Sequence, residues 1–101
     1  MANSINHAAT GIGHGVKTVA AAGTDEALAA FTPALFVTIQ AQTDNTGLIA
    51  VGAAGVDATV ATGTGLALAA GESVTLPCNN LGVFYIDATV SGDGVRYTYG
   101  T

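Results

Sequence analysis

The stretch FVTIQAQTDNTGLIAVG, residues 36–52, decides how the rest of the chain reads. Val37, Ile39 and Ala41 alternate with Thr38, Gln40 and Gln42. That period of two predicts a strand over residues 35–42, with one face on a core and the other on water or a partner. TDNTG then supplies turn chemistry, because Asp and Asn bond their own backbone and Gly47 tolerates a positive φ. LIAVG, residues 48–52, reads as a second strand, apolar on both faces. Nothing in the stretch is reactive, so the best-formed segment of the chain is scaffold.

The same punctuation continues on either side. KTVAAAG, from Lys17, predicts a weak first strand. DEALAAF predicts a strand or an irregular connection, since Pro33 follows too closely for a helix. A short strand is expected around Ala58–Ala61 between two Gly-rich loops. AAGE reads as a turn, Ser73–Leu76 as a strand ending at Pro77, and CNNLG as another turn. VFYIDATV, residues 83–90, is the second strong strand, with Phe84, Ile86, Ala88 and Val90 on one face and Val83, Tyr85, Asp87 and Thr89 on the other. SGDG reads as a hairpin turn centred on Asp93-Gly94. VRYTY closes the pattern, with Val95, Tyr97 and Tyr99 on one face.

Turn signals thus recur about every 8 to 12 residues, the spacing of an all-β sandwich or barrel. About 7–8 short antiparallel strands fit, in a single-domain β-sandwich over residues 16–101. Jelly-roll-like and immunoglobulin-like topologies both remain open, although the Cys…Trp…Cys core of a true immunoglobulin domain is absent. Residues 1–15 have few apolar anchors and read as a flexible N-terminal arm, with GIGHG as its hinge.

Composition bounds the function. A chain of 101 residues makes one domain. Half of it is hydrophobic, but 20 residues are alanine, there is no tryptophan, and Phe and Tyr number three each. A core of small residues leaves a thin margin over ordering entropy, so oligomerisation is expected. Charged residues make up 9%, against about 25% in an ordinary soluble domain. The net charge is −5 and only Lys17 and Arg96 are positive. A phosphate-binding patch cannot be built from two cations, which excludes ordinary nucleic-acid binding. No run of about 18 apolar residues predicts a membrane span, and the N-terminus lacks the basic and apolar regions of a signal peptide. Cys78 stands alone, so no intrachain disulfide supports the fold.

Candidate chemistry is sparse. His7 and His14 lie in the expected arm, too few and too loosely placed for a metal site. A cupin-like metal enzyme is rejected because no expected strand carries a histidine. GIGHG is G-x-G-x-G, not the G-x-G-x-x-G of a dinucleotide loop. Asp44, Glu72 and Asp93 fall in turns. Asp87 lies inside a strand and is expected to pair with Arg96 across the closing hairpin, as a structural or interface ion pair. Cys78 has no basic neighbour to activate it. No catalytic, cofactor-binding or metal residues are assigned and no cofactor is expected. The interface candidates are Ile5, His7, Ile12 and His14 of the arm, with Asp87 and Arg96.

VTIQAQTDNTGLIAVG, GLALAAGESVTL and NLGVFYIDATVSGDGVRYTY together resemble small structural proteins of tailed-bacteriophage particles. The resemblance covers about residues 35–100. It implies a non-enzymatic virion protein, a head decoration or cement protein made in the bacterial host cytoplasm. Such a protein would sit on the capsid exterior as a homo-oligomer, typically a trimer, clamping the major capsid protein. A head fibre, neck or tail component is the nearest alternative. A carbohydrate-binding module is a further one, if Tyr85, Tyr97 and Tyr99 form an exposed aromatic row.

Overall fold

The computed structural model describes residues 10–101. It is all-β: eight strands form two four-stranded antiparallel sheets. In chain order they are β1 (Ile12–Thr18), β2 (Glu26–Ala27), β3 (Phe36–Ala41), β4 (Ile49–Gly52), β5 (Leu66–Leu68), β6 (Ser73–Pro77), β7 (Tyr85–Ala88) and β8 (Gly94–Gly100). A 3-10 turn, Leu81–Val83, precedes β7 and is capped by the Asn80 side chain, which accepts from Gly82 N.

The first sheet runs β1-β8-β3-β6 and the second β2-β7-β4-β5. The partners β1–β8, β2–β7, β3–β6 and β4–β5 are nested, like one long folded-over ribbon rolled into two sheets. That order is the jelly roll, and it settles which sandwich the chain forms.

The core follows from the expected alternation. Val37, Ile39 and Ala41 of β3 are fully buried and face Ile49 and Val51 of β4 and Ile86 and Ala88 of β7. Val95 of β8 completes the first sheet's inner layer, and Tyr97 and Tyr99 pack half-buried against it. The residues are small, but the two inner faces interdigitate without a large anchor.

Several expectations are corrected. The arm was expected to run through residue 15, with GIGHG as a hinge. Instead Ile12–Thr18 is a seven-residue strand paired along the whole of β8, and Thr10 N and Gly11 N both donate to Thr101 O. The strand was hidden because two of its three inward positions are glycines and the third is Lys17. Gly13 and Gly15 stand opposite Tyr99 and Tyr97, whose rings occupy the space a side chain would need. The part of the expected arm at residues 1–9 lies outside the described residues.

β7 and β8 belong to different sheets, so SGDG is not a hairpin turn. Gly92 takes the positive φ (93°). Gly94 is needed for another reason: a Cβ there would lie 2.5 Å from Lys17 O on β1. The Asp93 carboxylate bonds to the neighbouring 43–47 turn, accepting from Thr46 N (3.1 Å) and Gly47 N (2.8 Å). That turn carries the chain from β3 in one sheet to β4 in the other.

No strand forms at Ala58–Ala61. Asp57 organises turns there instead, accepting from Thr59 N and Thr62 Oγ1, both at 2.9 Å. The loop between β4 and β5 folds over the outer face of the second sheet. There Val56 and Ala58 pack on Ala50, and Tyr85 packs beside them.

Candidate interaction surface

The carboxylates come first, because enzymatic chemistry in a chain of this composition would depend on them. Six of the seven accept a bond from a backbone N–H. Asp87 is 1% exposed and accepts from Gly23 N (3.0 Å) and Ala58 N (2.9 Å), tying two loops over β7. Asp25 reaches Gly55 N at 2.9 Å, joining the same two loops. Glu72 closes the β5–β6 turn on Ala69 N at 2.7 Å. Asp93 and Asp57 hold the turns described above. Glu26 accepts from Ala20 N at 3.0 Å and pairs with Lys17 Nζ at 3.0 Å. Lys17 points inward from β1 and Glu26 comes from β2, so this pair closes the open side of the sandwich between the two sheets. The bonds from Ala20 N and Lys17 hold the Glu26 carboxyl below its ordinary 4.5. Bonds from Thr59 and Thr62 hold Asp57 below its ordinary 3.8. No buried side-chain nitrogen or oxygen among the described residues lacks a partner.

The expected Asp87–Arg96 pair is therefore corrected. Asp87 is buried in the second sheet. Arg96 is exposed on the first, where its Nε donates to Gln42 Oε1 at 3.0 Å. The error came from reading β7 and β8 as neighbours. His14 also stands on a strand, contrary to the expectation that no strand carries a histidine. Among the described residues no three His, Cys, Asp or Glu side chains cluster as a metal site would require. Cys78 is half-buried, with its thiol directed at Ala34 O (3.7 Å), and burial pushes its pKa up.

Register defines what the first sheet presents outward. One row is Ile12–Gly100–Phe36–Pro77, the next His14–Thr98–Thr38–Thr75, the third Val16–Arg96–Gln40–Ser73. Across these rows only His14 and Arg96 can carry charge. Thr38 and Thr75 share a hydrogen bond of 2.8 Å across the β3–β6 pair. His14, Gln42, Arg96 and Thr98 line a shallow cleft of about 300 Å³. Ile12 and Val16, 76% and 64% exposed, stand at one side of this face on β1.

The structure thus brings together three of the six interface candidates: Ile12, His14 and Arg96. It removes Asp87 to the far sheet, and Ile5 and His7 lie outside the described residues. Val16 belongs with the three and was missed. The same period-two alternation, carried through GIGHGVKT, would have found it. The tyrosines form no exposed row, since Tyr97 and Tyr99 turn inward over Gly15 and Gly13 and Tyr85 packs beside Val56 and Ala58. No helix among the described residues is long and apolar enough to cross a membrane, which says nothing of β-barrels. No family model, curated protein or solved structure matches the chain.

Proposed function

We propose that this chain is a non-enzymatic structural subunit of a phage particle, a decoration protein that binds the major capsid protein on the shell exterior as an oligomer. The observation that carries the reading is the outward face of β1-β8-β3-β6, a broad threonine-rich surface with two ionisable groups in its three rows. Ordinary soluble surfaces are about 25–35% charged, and depletion of charge is what marks the centre of a protein interface. The engaged carboxylates support it as well, because they stiffen the loops rather than converge on a cleft. A rigid subunit with a broad, charge-poor face loses little freedom on docking, and repetition over a shell multiplies weak contacts.

The test is direct. Purified protein is mixed with shells assembled from the major capsid protein of the phage that encodes the chain, and electron microscopy then follows the mixture. Density at fixed lattice positions, with the threonine-rich face against the shell, supports the reading. Protein that stays in solution while the shells pellet bare overturns it.

A further inference from the structure

A sheet edge is a row of unpaired backbone groups, and proteins ordinarily blunt such edges. Three of the four edges here are blunted. β2 has two residues, β5 has three, and β6 ends on Pro77. β1 is the exception: seven residues with no proline. Its one charged side chain, Lys17, is turned inward to Glu26. Ile12 and Val16 stand exposed on it.

The backbone polarity of β1 follows from its pairing. Gly11 and Thr101 exchange both bonds, N–H to O at 3.3 Å and 2.9 Å, and Val19 N donates to Asp93 O at the other end. Bonded pairs alternate between those points, so Gly13, Gly15 and Lys17 spend their backbone groups on β8. The N–H and C=O groups of Ile12, His14, Val16 and Thr18 face the other way, toward an edge that has no partner among the described residues.

We propose that β1 is a self-association edge, and that its occupant is β1 of a second copy in antiparallel register centred on His14. In that register Ile12 lies opposite Val16 of the second copy and Val16 opposite its Ile12, matching exposed β-branched side chains twice by symmetry. His14, the central residue, lies opposite itself. All three pairs fall on residues whose backbone groups face outward, giving about six hydrogen bonds. The two first sheets become one sheet of eight strands. Charge favours this choice of occupant. The chain carries −5 overall, yet β1 has no carboxylate, so two copies meet here without opposing carboxylates. One strand pair buries less than the roughly 1,200 Å² of a standard stable interface, so the dimer is weak in dilute solution and is reinforced where copies are held close together. The inference deepens the assembly reading above by naming one partner of that surface, but it stands on β1 alone.

Sedimentation of the full chain over a wide concentration range tests it, with Val16→Pro as the main variant. Proline removes an N–H that β8 does not use, which edge positions tolerate. Wild type should show reversible dimerisation, and Val16→Pro should weaken it by about tenfold or more. If Val16→Pro does not fold by circular dichroism, Ile12→Lys/Val16→Lys takes its place, since a charged edge also refuses a partner strand. Register is read in a Cys78→Ala background. His14→Cys should oxidise to a disulfide-linked dimer much faster than Thr18→Cys, because opposed Cα atoms about 5.5 Å apart suit a disulfide. Wild type that stays monomeric throughout, variants that dimerise as wild type does, or equal oxidation of the two cysteines would each overturn the proposal. Shell binding by a monomeric wild type would sink this inference and leave the decoration reading standing. A β1 dimer that ignores shells would do the reverse.

Discussion

Gly13 of β1 lies directly opposite Tyr99 of β8, and the tyrosine ring covers the glycine so closely that a Cβ there would sit 2.5 Å from the phenol oxygen. Gly15 and Tyr97 repeat the arrangement one step along, with a Cβ 2.5 Å from Cζ, and the two rings lie 6.2 Å apart. At Gly13 and Gly15 β1 has no inward side chain, and β8 supplies one at each. Gly13→Val is therefore expected to displace Tyr99 and destabilise the fold by about 1–3 kcal/mol, as overpacking does. Urea denaturation checks the loss. Hydrogen exchange should place it in β1 and β8 and leave β4 unchanged.

Gly92 and Gly94 should respond differently to alanine. Gly92 has φ 93° and open space where a Cβ would go, so Gly92→Ala costs only the left-handed conformation, about 1–2 kcal/mol. Gly94 is pressed against the Lys17 carbonyl, which cannot move without opening β1 from β8. Gly94→Ala is expected to cost more than Gly92→Ala and to raise amide exchange through β1. Equal losses by thermal melting, with β1 protected in both, would contradict this account.

Asp87→Asn should be costly for a change of one atom. Each carboxylate oxygen of Asp87 accepts one backbone N–H in a site 1% exposed. The amide has one acceptor, so one of the two N–H groups loses its partner and meets the amide's own N–H instead, at about 1–3 kcal/mol. Hydrogen exchange at Gly23 and Ala58 should rise well above that of the core strands.

Acid sensitivity follows from the depressed carboxyls. Glu26 and Asp57 titrate lower folded than their ordinary 4.5 and 3.8. The folded form favours their ionised state, so their contribution is full above those values and is lost as pH falls through the lower folded ones. Denaturant midpoints should hold steady from neutral pH to about 5 and then fall. Glu26→Gln should flatten part of that fall, and added salt should shrink the difference by screening Lys17.

Cys78 gives a chemical readout. Its thiol is half-buried and burial raises its pKa, so less thiolate is present than on a free cysteine. Iodoacetamide at pH 8 should alkylate it far more slowly in the native protein than in urea.

β3 was legible in the sequence because large and polar residues alternate within six positions, and that information is local. β1 was not, although GIGHGVKT has the same period, because the residues that complete it are Tyr97 and Tyr99, more than 80 positions away. The Asp93-Gly94 dipeptide carries the chemistry of a primed hairpin turn. Only the fold shows that Gly94 is crowded by the Lys17 carbonyl and that Asp93 holds the turn between β3 and β4. Asp87 reads as outward-facing, and it is. What the strand pattern omits is the 53–65 loop that folds over that face. Of the outward face of the first sheet, Ile12, His14 and Arg96 were named one by one from the sequence. Their common face was not, since it exists only once β1 is laid beside β8.

The nesting of β1 with β8 and β2 with β7 has a consequence for how the protein is made. Synthesis runs from the N-terminus, so β1 through β6 leave the ribosome before β7 and β8 exist. β8 sits between β1 and β3, and β7 between β2 and β4. Neither sheet can close until β7 and β8 emerge. A delay or truncation near Gly94 therefore leaves the second sheet and the β3–β6 pair without the strand that joins β1 to β3, and the inner Val37 and Ile39 face lacks its cover from Val95.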